Sequence, residues 1–286
     1  MRDAMAIGQI GPIRPILPNR MENLRGNVIR AYHDLAADPK YQHFVRIPDR
    51  IIQCIDYFGI VCDRAAVRAR LQTYYLFIGV VDEAIDSGKI DAGRLILEYL
   101  GTPAPLFDEE ATRSHVRLIT EILKYNINQD TYPATIDKLR ELYGECVSER
   151  TASSIDSYLK HRRSVGSLTA ELSYVLIRPA VVGEHEELFR FMQQVGSVGC
   201  LVDSLIDLSA DSRLGLLGFK PGLMDYVQLI KSILRDGLRV LLKHPGLSPQ
   251  FLRAIVDNVR DRFRAAHNLS PHSLVTDRKK EAAGVA

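Results

Sequence analysis

A chain of 286 residues, 46% hydrophobic and 25% charged, has the make-up of an ordinary globular protein and can bury a substantial core. Its formal net charge is +2, and its basic residues are spread along the chain rather than massed, so it carries no electrostatic footprint for nucleic acid. No apolar run approaches the roughly 20 residues of a membrane-spanning helix, and the N-terminal segment, broken by Pro12, Pro15 and Pro18, lacks the apolar stretch of a signal peptide.

Residues 1–19 read as an irregular arm punctuated by glycine and proline. From about residue 20 the spacing turns helical: Leu24, Val28, Ile29, Tyr32 and Leu35 return every three or four positions. The same periodicity predicts helices over 43–58, 63–87, 90–100, 109–128, 134–149, 151–178, 184–211, 222–243 and 248–267. The breaks fall at Gly88, the 101–105 stretch, Pro133, Pro179, Gly218 with Pro221, and Pro245-Gly246. Pro48 stands inside or at the start of its helix, where it lacks an N–H and crowds the preceding turn. There is no alternating strand, no glycine-rich phosphate loop and no repeat. The expectation is one all-α domain over 20–270, followed by a charged and then small-residue tail over 271–286.

The four cysteines, Cys54, Cys62, Cys146 and Cys200, have neither C-x-x-C spacing nor a neighbouring histidine pair. They are expected reduced and mostly buried, as in a cytoplasmic protein. His115, His161, His244 and His267 show no ligand spacing.

Two helices carry the candidate chemistry. In the first, Tyr75, Ile78, Asp82 and Asp86 fall on one stripe at about 100° per residue. Carboxylates set among apolar groups are costly unless paired or bound to a cation. The alternative is two solvated aspartates near a helix C-terminus. In the second, Asp203, Asp207 and Asp211 stand at i, i+4 and i+8, where like charges repel. Gly196, Gly199 and Cys200 precede them on the same side. Each helical glycine costs about 1 kcal/mol relative to alanine, a cost tolerated where something approaches the backbone closely. A face that is small above and acidic below suits a ligand with an apolar tail and an anionic, metal-bound head. The alternative is a solvated acidic face whose glycines pack on a neighbouring helix. Carboxylate oxygens are hard ligands suited to Mg²⁺, which bridges to substrate phosphates. Opposed across a bundle, two such faces would hold ions that turn a diphosphate into a leaving group.

On these motifs the chain resembles the trans-type class I isoprenoid synthases, and within them the squalene/phytoene synthase family. Asp82 and Asp86 match that family's Asp-x-x-x-Asp helix. Gly196, Cys200, Asp203, Asp207 and Asp211 follow the steps of its second motif, and Phe219-Lys220-Pro221 supplies the closing aromatic-x-Pro. Cys200 and Asp203 stand where the family has Gln and Asn, and the Arg before the first motif is absent. The segment from Tyr158 through Arg162 and Arg163 to Gly166 is similar to a Tyr-x-x-x-Arg-Arg…Gly stretch of bacterial terpene cyclases, in which an arginine senses diphosphate. The aspartate triad also has the cyclases' spacing. The resemblance covers roughly residues 60–221.

The resemblance implies a single-domain helical bundle around a central cavity, with Mg²⁺ as cofactor and a prenyl diphosphate as substrate. Asp82 and Asp86 would bind metal from one wall, and Asp203, Asp207 and Asp211 from the other. Arg162 or Arg163 would hold the diphosphate, the alternative being an exposed pair. Arg213 and Lys220 would close over it or form a basic loop that balances the aspartates, and Tyr75 with Gly196 and Gly199 would line the hydrocarbon pocket. Tyr74 and Phe77 are weighed as lining or plain core, and Arg262-Phe263 as a faint echo of a cyclase pair. The expected activity is head-to-head coupling of two prenyl chains. The alternatives are cyclisation on the same fold and a non-catalytic prenyl-binding protein. An apolar product implies peripheral contact with a membrane.

Overall fold

Helix is the only regular structure that these apolar spacings support, and helices are what form. The computed structural model describes residues 22–86, 91–103 and 113–247, with residues 249, 252, 253 and 256 beyond them. The expected arm (1–19), the tail (271–286), the break at Gly88, Arg262, Phe263 and His267 lie outside the described residues, as does most of the helix expected over 248–267. Among the described residues there is no strand, only an isolated antiparallel bridge between Cys62 and Val181.

In chain order the helices are α1 (Glu22–Ala37), α2 (Gln42–Tyr57), α3 (Arg64–Asp86), α4 (Asp91–Tyr99), α5 (His115–Asn126), α6 (Tyr132–Arg150), α7 (Ile155–Ile177), α8 (Glu186–Leu214) and α9 (Leu223–Lys243). The protein is all-α. Pro48 lies buried within α2, which runs on past it. No helix among the described residues is long and apolar enough to cross a membrane.

The chain divides into two compact units, residues 1–143 with 169–192, and residues 144–168 with 193–286. In the first, α3 packs on α2 and α5. Its Leu71, Tyr74, Leu76 and Phe77 are buried, so Tyr74 and Phe77 are core. At Gly79 the fit against α2 is tight: a Cβ there would stand 2.6 Å from the Phe44 ring. Arg70, half-buried on α3, donates from Nη1 to the carbonyls of Asn126 (2.6 Å) and Leu176 (3.4 Å). It thereby satisfies carbonyls at the C-terminal ends of α5 and α7 and places a cation against both dipoles. Glu121 and Lys124 of α5 form a fully buried ion pair at 3.0 Å.

In the second unit, Ile155, Tyr158 and Leu159 of α7, Leu201 and Leu208 of α8, and Leu229 of α9 form one buried cluster. Gly215, at φ +71°, ends α8 in the left-handed region that glycine enters without penalty. Leu216 N–H then donates to the Asp211 carbonyl at 2.9 Å, so the chain turns just past the third aspartate.

The cysteines correct the expectation of burial. All four are free thiols, and all four are half-buried. Cys54, Cys146 and Cys200 lie on helices, and Cys62 lies in the connection between α2 and α3 that bridges to Val181. Burial pushes the Cys54 thiol up to about 11.

Candidate functional site

The two halves of the candidate site fall in different units. On α3 the stripe through Tyr75, Ile78 and Asp82 rises from core to surface. Tyr75 is buried, with its Oη sharing a 3.0 Å hydrogen bond with Ser173 Oγ. Ile78 is half-buried and Asp82 exposed. Asp82 is therefore not enclosed among apolar groups as the sequence suggested, because the last turns of α3 run beyond the core that covers its middle. Asp86 closes the helix, and its side chain lies outside the described residues. Glu83, next to Asp82, has a different duty. It accepts from Lys40 Nζ at 2.8 Å and from the Tyr41 hydroxyl, tying the end of α3 to the turn before α2. Partial burial would raise the Glu83 carboxyl, but the hydrogen bonds from Lys40 and Tyr41 outweigh it and hold it below the usual range. Burial and the Glu83 carboxylate push the Tyr41 phenol up to about 12.

In the second unit α8 carries Asp203, Asp207 and Asp211 on one side, all half-buried. They are about 6 Å apart along the axis per four-residue step. Their burial is partial, while Leu201, Ser204 and Leu208 take the interior positions on the same stretch of helix.

The two glycines above the acidic row divide in role. At Gly196 the backbones of α7 and α8 touch: a Cβ on Gly166 would stand 2.2 Å from the Gly196 carbonyl oxygen. That close approach is helix packing. Gly199 is different, for a Cβ there meets no atom within 4 Å.

The adjacent arginines of α7 point to different neighbours, as residues 100° apart must. Arg162 is clamped. Its Nε donates to the Cys200 carbonyl (3.1 Å) and to Ser204 Oγ (2.9 Å), and its Nη1 to both Glu149 oxygens (3.1 and 3.3 Å). Burial would lower its pKa, but Glu149, Cys200, Tyr158 and Asp203 outweigh it and keep the guanidinium firmly charged. Tyr158 donates to the same Ser204 hydroxyl at 3.0 Å. One side chain thus joins α6, α7 and α8, a structural duty that the sequence did not reveal. Glu149 and Ser204 were missed, because a partner 13 or 42 positions away leaves no periodic signal.

Arg163 turns toward α9. Its Nε donates to Asp236 Oδ2 at 2.8 Å, and it lines a cleft of about 380 Å³ with Asp156, Gln228, Lys231 and Arg235. Arg213, exposed in the last turn of α8, donates to the Ser209 carbonyl at 3.1 Å. Phe219 of the aromatic-x-Pro sequence packs edge-on against Tyr158, ring centroids 6.0 Å apart. Lys220 beside it is exposed.

No family model matches the chain, and no curated protein or solved structure matches it.

The donor set can be tested against a divalent cation. Among the described residues no three His, Cys, Asp or Glu side chains stand together as a cage for one ion. An all-protein site is therefore not what these residues build. One or two carboxylates with water and substrate phosphates is the usual mode of Mg²⁺, and the half-exposed Asp203, Asp207 and Asp211 and the exposed Asp82 suit that mode.

Proposed function

We propose that the protein is a Mg²⁺-dependent class I isoprenoid synthase that ionises an allylic prenyl diphosphate and couples the resulting cation to a second prenyl chain. The observation that carries this reading is the side of α8 on which an open position at Gly199 stands above three half-exposed aspartates. Asp203, Asp207 and Asp211 would hold Mg²⁺ through one or two oxygens each, and Asp82 and Asp86 would serve the same purpose from α3. When bound, the ion would neutralise the diphosphate and make it a better leaving group.

The chain's own residues have distinct tasks in this reading. Gly199 leaves room for the hydrocarbon chain against the helix backbone. Arg162 keeps the acidic helix in register through Ser204 and the Cys200 carbonyl, and its charge offsets the row of carboxylates. Arg213 and Lys220, both exposed, are the cations placed just after the third aspartate that can meet a diphosphate. Arg163 is assigned to its ion pair with Asp236 rather than to substrate.

A second reading, a prenyl-binding protein without turnover, is favoured by one observation: Arg162, which bonds to α8 beside the acidic row, is already engaged by Glu149. Diphosphate release separates the two. Geranyl, farnesyl and geranylgeranyl diphosphates are offered separately with Mg²⁺, and products are extracted for mass analysis. Metal-dependent release that falls by at least about 100-fold in Asp207→Ala and in Asp82→Ala is expected. A product with twice the substrate's carbons identifies coupling, and one with the same carbons identifies cyclisation. A folded protein that releases nothing from any of the three overturns the enzymatic reading.

A further inference from the structure

Helix α9 buries one side and leaves a second apolar line in solvent. Leu229, Ser232, Gly237 and Val240 face inward. Ile230, Leu234 and Leu238, at i, i+4 and i+8, are 43%, 57% and 54% exposed, and Leu242 at the next step is 81% exposed. One exposed leucine is ordinary. Four along one helix line form a contiguous patch of the kind that marks an interaction surface.

A line of cations runs beside it. Lys231, Arg235 and Arg239 repeat at the same four-residue step, Lys243 follows, and all four are exposed. The helix has two acids, and both are occupied. Asp225 accepts from the Gly222 N–H at 2.7 Å, and Asp236 accepts from Arg163 and Arg235. Lys231, Arg239 and Lys243 make no hydrogen bond or ion pair with any described residue. The solvent sector of α9 is therefore apolar on one flank and basic on the other, with no unpaired carboxylate between.

We propose that this face of α9 lies on an anionic lipid surface, with Ile230, Leu234, Leu238 and Leu242 at the acyl boundary and Lys231, Arg239 and Lys243 on the headgroup phosphates. An amphipathic helix with a basic flank binds such a surface through buried apolar area and charge together. A second copy of the chain suits the face less well. Antiparallel pairing through the leucine line sets the two basic lines on the same side, like charge beside like. The residues described after α9 do not cover it either, since Leu252 and Val256 are themselves 53% and 61% exposed. The inference does not depend on the enzymatic reading.

Flotation of the full chain with vesicles tests it. Binding is expected on phosphatidylcholine mixed with phosphatidylglycerol, and roughly tenfold less on phosphatidylcholine alone or at high salt. Leu234→Gln with Leu238→Gln is expected to lose roughly tenfold or more while the melting temperature is kept, and Lys231→Gln with Arg239→Gln to lose the preference for anionic vesicles. Should the leucine variant melt early, the lysine–arginine variant carries the same test. Three outcomes overturn the proposal: no binding to either vesicle, binding unchanged in both variants, or a dimer that the leucine substitutions convert to monomer.

Discussion

Two glycines, one on α7 and one on α8, illustrate how much a single position can carry. Gly166 and Gly199 look alike in sequence, each a glycine inside a long helix that costs about 1 kcal/mol relative to alanine. Their surroundings are opposite. At Gly166 a methyl group would sit 2.2 Å from the Gly196 carbonyl, so Gly166→Ala must push α7 and α8 apart and should cost about 1–3 kcal/mol. At Gly199 nothing stands within 4 Å, so Gly199→Ala should stabilise by about 0.5–1 kcal/mol. Denaturant titration of both variants checks the pair. If Gly199→Ala stabilises the fold and also lowers turnover, its open position is used by substrate. If it stabilises without affecting turnover, the pocket assignment of Gly199 is wrong. The aspartates were legible as a row from spacing alone. Their partial exposure was not, because burial depends on what else packs on the helix.

At the scale of elements, the helix periods expected from sequence are met over most of the chain. The segment expected over 184–211 is α8 at Glu186–Leu214, and that expected over 222–243 is α9 at Leu223–Lys243. Apolar recurrence every three or four residues is local information, and so are the Gly-Pro breaks. What joins the elements was not legible. Arg162 reads in sequence as a free cation suited to diphosphate, yet it is held by Glu149 of α6 and by Ser204 and the Cys200 carbonyl of α8. Removing it leaves Glu149, only 12% exposed, without its partner. Arg162→Ala should therefore destabilise by about 3 kcal/mol or more, and Arg162→Lys should recover only part of this because an ammonium cannot reproduce the fork. Thermal or denaturant unfolding measures it. A melting temperature unchanged in Arg162→Ala would return that arginine to a purely ligand-binding role.

For the molecule as a whole, charge sets the pH range of stability at both ends. The carboxyls of Glu83 and Asp236 both lie below their usual range in the fold, burial being outweighed by hydrogen bonds from Lys40 and Tyr41 in the first case and by Arg235 and Arg163 in the second. A lowered carboxyl stabilises the fold above its ordinary pKa and loses that contribution as pH falls through the folded value. Stability should therefore decline on acidification below the ordinary values of 4.5 and 3.8. Tyr41, Tyr132 and Tyr158 are pushed the other way by burial, from 10.0 to about 12. Their protonated forms are favoured by folding, so the contribution is complete below pH 10.0 and is lost as pH rises toward about 12. Tyrosinate absorbance followed together with circular dichroism should show these phenols ionising only as the helices melt. Early titration of all three would remove the alkaline part of this prediction.

The sequence by itself determined the all-α class, the places where helices start and stop, and the presence of acidic rows on α3 and α8, because each of these is written in spacings shorter than a few helical turns. Tertiary structure alone decided that Gly166 is packed and Gly199 open, that Arg162 and Arg163 serve different neighbours, and that α9 keeps a leucine line in solvent. Periodicity names a face of a helix, but the partner of that face comes from chain tens of residues away, and only folding brings it there.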